Sequence, residues 1–326
     1  MLKAILPFVV FALKITGNRG LILLDSVDWN PIEEILGKLE NKRGRPPIHS
    51  NLAKFKAIIY GLADQQYSIM GITRAASKTF ILQICGFAII PSHDTLLRFW
   101  GQLEEVIEEI FQEFVIQNID LGIIDLRRLA IDPTSIETRY LKSDKDAKWN
   151  RDESRKRFYF GYGADAIKDV SSHLPVCASF IQSKKTDFDE TIALWKKLPE
   201  KPQILLGDSE FDMLEFHEIL LSEHVVPIIE YNPRNTETPL PITYRIQQYT
   251  NDFSLEWLTE EDRYRAEIEH SWGTLKEHFG LEKFFIRGWK NVKVKFFITL
   301  ALRHIHAKYV FLNHPEISVR KTISVL

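Results

Sequence analysis

Leu129-Ala-Ile-Asp132-Pro-Thr134 is where this 326-residue sequence changes character. Upstream of it, apolar residues recur at helical spacing. From about residue 126 they come in short solid runs, the pattern of buried strands. Leu129 to Asp132 reads as one strand. Phe158 to Ala166 and Pro175 to Gln182 read as two more, antiparallel and joined near Asp169-Val-Ser-Ser-His173. A helix over Asp189 to Leu198 follows, then a strand over Gln203 to Gly207, a helix over Met213 to Ser222 and a strand over Val225 to Glu230. This β-β-β-α-β-α-β order implies an α/β fold, a mixed sheet flanked by helices. Tyr231 to Leu258, rich in Pro, Thr and Asn, reads as an insertion before a helix that carries Glu269. A last helix, from about Val292 to Val310, has Phe296, Phe297, Leu300, Leu302 and Ile305 as apolar anchors.

Working back towards the N-terminus, residues up to about 120 read as helical. Leu52 to Leu62 places Phe55, Ile58, Ile59 and Leu62 on one face. Ile69 to Phe80 is a shorter helix that can run on through Ile84, with Gly86 as its stop. Leu96 to Phe114 reads as one long helix opened by Ser92, Asp94 and Thr95. Short helices of this kind permit a helix-turn-helix-like DNA reader, and a plain helical scaffold fits the spacing equally well. Ahead of them, Asn41-Lys-Arg43-Gly-Arg45-Pro-Pro makes a narrow basic chain. It suits the minor groove of A·T-rich DNA, or it is a basic linker between helices.

Composition bounds the function. Hydrophobic residues at 45% and charged residues at 26% are ordinary for a globular protein, and the length suggests two regions. Cys85 and Cys177 lie in separate apolar contexts, which fits reduced core thiols and a cytoplasmic protein. Met1 to Leu13 resembles a signal-peptide core without a small-x-small cleavage site, and is too short to span a bilayer; it reads as a buried helix. No membrane span is expected. The net charge of −2 hides segregation. Arg139 to Arg157 holds eight basic residues against four acids, and Lys283 to Lys308 holds seven with no Asp or Glu. Such runs can form local positive surfaces on a neutral molecule, or simply solvated faces.

Three carboxylates stand out. Asp132 and Asp208, the latter in Ile204-Leu-Leu-Gly-Asp208-Ser, each follow a strand-like apolar run. Glu269 lies in Arg265-Ala-Glu-Ile-Glu269-His-Ser-Trp-Gly-Thr-Leu-Lys276. At 3.6 residues per turn, Arg265 falls about 40° to one side of Glu269 and Lys276 about 20° to the other, a stripe of cation, carboxylate, cation. Glu267 points about 160° away and ranks a distant second. Acids on three rigid elements beside basic residues suit divalent metal ions acting on a phosphodiester. Two Mg²⁺ ions about 3.5–4 Å apart would activate the attacking water or 3′-hydroxyl and stabilise the leaving oxygen. Mn²⁺ would be tolerated. Arg265 and Lys276 would meet DNA phosphates. An Arg265–Glu269 ion pair along the helix is the plainer alternative.

Rival chemistries lack their signatures. His304-x-His306 cannot share a helix face, and His-Glu-x-x-His, Gly-x-Ser-x-Gly, phosphate-loop and dinucleotide-glycine motifs are absent from the sequence. Phe160-Gly-Tyr-Gly163 reads as a strand whose glycines permit close approach. Trp149, Trp272 and Trp289 lie near basic runs and serve either base stacking or, more simply, packing.

With these residues in view, the chain resembles a DDE-type transposase of a prokaryotic insertion sequence. Ala130-Ile-Asp132-Pro-Thr, Gly207-Asp208-Ser-Glu-Phe-Asp, and Arg265-x3-Glu269-x6-Lys276 followed by Phe279-Gly-Leu and Arg287-Gly288 are similar to that family's three catalytic blocks, in order. Gly44-Arg-Pro-Pro and Pro91-Ser-His-Asp-Thr-Leu-Leu-Arg-Phe resemble its N-terminal region. Where many relatives carry a tyrosine three residues before the arginine, this chain has Asp262, with Tyr264 nearby. The resemblance implies an RNase H-like core preceded by an all-helical domain, with Asp132, Asp208 and Glu269 as catalytic and metal-holding residues. It also implies binding to the inverted repeats of the element's own double-stranded ends, and cut-and-paste transposition into target DNA. Expected DNA contacts are Arg265, Lys276, Arg43, Arg45, Lys148, Arg151 and Arg287, and a homodimer is expected on DNA. The expected division is 1–122 for DNA binding, 123–312 for catalysis with the insertion at about 231–258, and 313–326 as a tail. A metal-dependent nuclease without strand transfer, and an inactive DNA-binding protein, are the alternatives.

Overall fold

The computed structural model describes residues 19–40, 47–138, 144–152, 156–182, 187–230, 232, 255–283 and 286–320, with side chains at all of these except 19, 79, 152, 255–262, 266, 267 and 269. The apolar opening stretch, the Asn41-to-Arg45 run and nearly all of the 231–258 insertion therefore lie outside the described residues. Two compact units emerge: Met1–Ile123 with Leu141–Asp146 and Leu275–Leu326, and Ile124–Tyr140 with Ala147–Thr274.

The first unit is helical. Its N-terminal part runs through α1 (Arg19–Asp25), α2 (Asn30–Gly37), α3 (Asn51–Ala63), α4 (Ile69–Ala76), α5 (Thr79–Cys85), α6 (His93–Gln102) and α7 (Ile107–Asp120). Serines start three of these helices: Ser50, Ser68 and Ser92 accept the backbone N–H of Ala53, Gly71 and Thr95. Gly86 ends α5 at φ +89, a conformation that costs other residues energy. Phe55, Ile58 and Ile59 are fully buried, as the helical spacing of α3 requires.

Two helices differ from the sequence expectation. The stretch Ile69 to Ile84 breaks at Ser77 and Lys78 into α4 and α5. The expected single helix over Leu96 to Phe114 breaks into α6, a 3₁₀ turn over Leu103–Glu105, and α7. Gly101 and β-branched Val106, both poor helix formers, bracket that break.

The second unit is built on a six-stranded sheet. Its strands are β1 (Arg128–Glu137), β2 (Lys148–Asp152), β3 (Arg157–Asp169), β4 (Pro175–Ile181), β5 (Ile204–Gly207) and β6 (Val226–Ile229). Its helices are α8 (Phe188–Lys196), α9 (Leu214–Ser222) and most of α10 (Leu255–Glu277). The order is β2-β3-β1-β5-β6, with β4 also paired to β3. Strand β1 runs antiparallel to β3 and parallel to β5, which is parallel to β6; β2 and β4 run antiparallel to the two halves of β3. A hairpin-built antiparallel side followed by a parallel side reached through helices is the RNase H-like arrangement.

Close packing fixes its details. A Cβ on Gly161 would sit 2.1 Å from the Ile136 carbonyl oxygen, so only glycine fits where β3 crosses β1. Ala130, Ile204 and Leu206 form a core cluster with Ile268 of α10, which covers one face of the sheet. Helix α8 packs on β3 and β4, and the Cys177 thiol donates to the Leu194 carbonyl. Both cysteines are buried and free, and burial pushes each thiol up to about 12. The antiparallel edge strand β2, Lys-Trp-Asn-Arg-Asp, has no place in the sequence expectation because it lacks apolar alternation.

Residues 275–312, which the sequence expectation gave to the catalytic region, cluster with the helical unit, as does the stretch expected as a tail. Helix α11 (Trp289–Asn313) is buried on nearly every side and packs on α7, α6, α1 and α3. That burial removes two of the seven basic residues between Lys283 and Lys308 from any open surface, while Lys283, Arg287 and Lys290 are exposed. Lys295 and Arg303 are interior; burial lowers them to about 7 and about 10. Lys290 and Lys293 pair with Glu104, and Lys293 also with Glu108. Asp144 and Asp146 accept the Gly288 and Trp289 backbone N–H groups at the start of α11. Among the described residues no helix is long and apolar enough to cross a membrane.

Candidate active site

The sheet's register places the two aspartates beside each other. The parallel ladder between β1 and β5 ends at Ile131 opposite Gly207, so Asp132 and Asp208 are the next residues along. Side chains alternate along a strand, and Ala130 and Leu206, two positions back, share one cluster under α10. Asp132 and Asp208 therefore fall on that same face. Strand β1 does not stop at Asp132, as its apolar run suggested, but continues against β3 to Glu137. Beyond Ile131 no pairing to β5 remains among the described residues, which opens an edge of β1 at the aspartate.

Asp208 leaves β5 in extended backbone, and its Oδ1 accepts the Glu210 N–H of a 3₁₀ turn over Ser209–Phe211. The loop behind it is tied down by Asp212, which the sequence motif contains but whose role its spacing does not reveal. Asp212 is buried; Oδ1 lies 3.0 Å from His217 Nε2, and Oδ2 accepts the Asn232 backbone N–H. Asn232 in turn donates to the Ser209 carbonyl.

Beside Asp132 is a residue that sequence reasoning missed. Lys168 of β3 is fully buried, and its Nζ donates to Asp132 Oδ2 at 3.0 Å and to Ser271 Oγ at 2.7 Å. The same ammonium lies 3.7 Å from the centroid of the Trp272 ring, so Trp272 packs on a cation and is not placed for base stacking. Ser271 and Trp272 belong to α10, as does Ile268 in the core cluster. These three residues define the side of α10 that faces β1. Position 269 is helical, one residue past Ile268 and two before Ser271; the Glu269 side chain, like that of Glu267, lies outside the described ones.

A fifth acid lies on the opposite face of β3. Asp165 pairs in register with Pro133, is buried, and its Oδ1 has no hydrogen-bond partner among the described residues. Burial first, and then the charges of Glu190, Glu210, Asp208 and Asp132, push it up to about 8. A carboxyl raised in the folded state contributes stability that is present below its unfolded value and lost as pH climbs through about 8. Asp165→Asn is accordingly expected to raise the melting temperature more at pH 8 than at pH 5. Equal gains at the two pH values in thermal denaturation would refute this.

The crowding of carboxylates at this end of the sheet fits a divalent cation. Among the described residues no set of three His, Cys, Asp or Glu side chains forms a metal site, and the described part of the candidate is the pair Asp132 and Asp208.

The expected DNA contacts are distributed as follows. Arg265 pairs with Glu230, and Lys276 with Glu282 at 3.1 Å. Lys148 and Arg151 are exposed on β2. Register puts Arg151, Trp149, Phe158 and Phe160 on one face, where Trp149 is 62% and Phe158 68% exposed. Arg287 is exposed at the rim of a cleft of about 430 Å³, with His93, Leu97 and Trp100. Arg43 and Arg45 lie outside the described residues.

Comparison with known proteins gives this geometry a family. Two curated relatives from strains of Halobacterium salinarum, each named "Probable transposase for insertion sequence element ISH11", are 28% identical over 309 residues, covering 92% of both chains. Among solved structures, a piggyBac transposase synaptic complex with hairpin DNA aligns at TM-score 0.49 and 12% identity over 94% of this chain and 78% of its own. A Mos1 strand transfer complex aligns at TM-score 0.22 and 11% identity, over 76% and 82%. The profile described as "Transposase DDE domain" matches residues 124–304, more than half the chain and the whole span from β1 to Asp208 and position 269. The chain belongs to the DDE-domain transposase family.

Proposed function

We propose that this transposase binds the terminal inverted repeats of its own element and carries out metal-dependent strand cleavage and strand transfer, cut-and-paste, with Asp132, Asp208 and Glu269 as the metal-holding acids. The observation that carries the reading is the register step that sets Asp132 beside Asp208 under the helix bearing position 269. Two Mg²⁺ ions, with Mn²⁺ accepted in their place, would activate the attacking water or 3′-hydroxyl and stabilise the leaving oxygen. The chain's own part is to fix the acids on rigid elements and to hold the DNA. Lys168 secures Asp132, and the Asp212 network secures the loop after Asp208.

Arg265 and Lys276 would exchange Glu230 and Glu282 for phosphate oxygens when DNA arrives. The exposed Arg151, Trp149 and Phe158, with Lys148 beside them, offer charge and stacking faces for a nucleic-acid strand. The helical unit, including Arg287 and the Arg43–Arg45 run, would supply further contacts to duplex DNA, and a homodimer would pair the two element ends in the cytoplasm.

The test is to incubate the purified full-length protein with DNA carrying the sequences that flank its coding region, a target plasmid and Mg²⁺. Products cut at the element ends and joined to target are the expected outcome. Cut products that are never joined would favour a nuclease, and bound but uncut DNA an inactive binding protein.

A further inference from the structure

Resting on that reading of the site, we propose that Lys168 is a positioning residue that makes Asp132 a one-oxygen metal ligand and thereby sets the site's preference for Mg²⁺ over Ca²⁺. The ammonium takes Asp132 Oδ2 at 3.0 Å, which leaves Oδ1 as the donor to a metal. Lysine commonly swings a charged head out to water on a flexible stem. Here the whole side chain is buried, seated on the Trp272 ring and bonded to Ser271, so that escape is closed. Oδ2 stays committed.

The two cations answer differently to such a constraint. Ca²⁺ gathers about six to eight oxygens at about 2.3–2.6 Å and readily takes both oxygens of one carboxylate; Mg²⁺ demands a near-octahedral shell at about 2.0–2.1 Å and takes one. A carboxylate with one oxygen held by an ammonium suits the smaller ion. Ser271 adds a second constraint, because it lies on α10 two residues past Glu269. One ammonium thus ties the strand of the first acid to the helix of the third, limiting the slack that a larger ion would exploit.

A purely structural ion pair would affect folding but not the choice between two ions of equal charge. The measurement is therefore binding to metal-free, full-length protein without DNA. Mn²⁺ is followed by the paramagnetic resonance of the free ion, then displaced by Mg²⁺ or by Ca²⁺. Lys168→Met is expected to shift the ratio of Ca²⁺ to Mg²⁺ affinity towards Ca²⁺ by about tenfold, and Ser271→Ala, which leaves the Asp132 and Trp272 contacts but removes the hydrogen bond to α10, by a smaller factor in the same direction. A folded Lys168→Met protein with the wild-type ratio overturns the proposal. If that variant does not fold, an unshifted ratio in Ser271→Ala overturns it. Mn²⁺ binding that survives Asp208→Ala would overturn the site itself and this inference with it, whereas an unshifted ratio with Asp208-dependent binding overturns the inference alone.

Discussion

Asp208→Ala is expected to slow DNA strand cleavage by at least about a thousandfold, roughly 4 kcal/mol of barrier, with DNA affinity and melting temperature close to wild type. The contrast between lost chemistry and retained fold follows from where Asp208 sits. It is partly exposed at the end of β5, and one structural task it performs is to cap a three-residue turn through the Glu210 N–H. Loss of a helix cap costs about 0.5–2 kcal/mol, and a single 3₁₀ turn that is also held by Asn232 through the Ser209 carbonyl should lie at the low end. Asp208→Asn keeps a cap and the shape while weakening the metal ligand, so it should fold as wild type and still fail to cleave. The checks are single-turnover cleavage of end-containing DNA and gel-shift binding in chelator. Cleavage within tenfold of wild type in either variant would remove Asp208 from the chemistry.

Why Asp208 could be found in the sequence while its neighbours could not is a matter of physical context. Strand β5 is covered on both faces, so Ile-Leu-Leu-Gly reads as a solid apolar run, and an acid just past such a run stands out. The same logic found β1, β4 and β6 and hence the sheet. Strand β2 escaped because an exposed edge strand needs no apolar alternation. Lys168 escaped for a deeper reason. In Ala-Ile-Lys168-Asp169, at the end of a strand, a lysine looks solvated, and what buries it is an antiparallel register that pairs it with Ala130 and brings Asp132 within reach. No local pattern encodes that pairing. Asp165 carried a fainter signal, an acid inside the run Gly-Ala-Asp-Ala-Ile, which a strict reading of alternation would have flagged. The basic run ending at Lys308 misled in the opposite sense. Counting charges ignored that Lys295 and Arg303 sit on a helix whose apolar residues go nearly all the way round.

Asp132→Ala should behave quite differently from Asp208→Ala, because it strands the Lys168 ammonium in the interior. Removing one partner of a buried ion pair costs about 3–5 kcal/mol, most of it the penalty of a charge left without its counterion. Ser271 can still accept one hydrogen bond and the Trp272 ring still faces the cation, but neither supplies a negative charge. The expected result is a large drop in the denaturation midpoint with little change in slope, measured by urea unfolding followed by circular dichroism. Lys168→Met alone should cost much less, since it replaces a buried charge with an apolar chain of similar length and leaves a carboxylate that retains some exposure to water. Combining Asp132→Ala with Lys168→Met should then recover most of the lost stability, giving a strongly non-additive cycle. Additive losses would mean that the ammonium is satisfied without Asp132. The cycle also separates two routes to inactivity that a cleavage assay merges: the double variant should be folded and inactive through loss of its metal ligand, whereas Asp132→Ala alone should be inactive partly because much of the protein is unfolded.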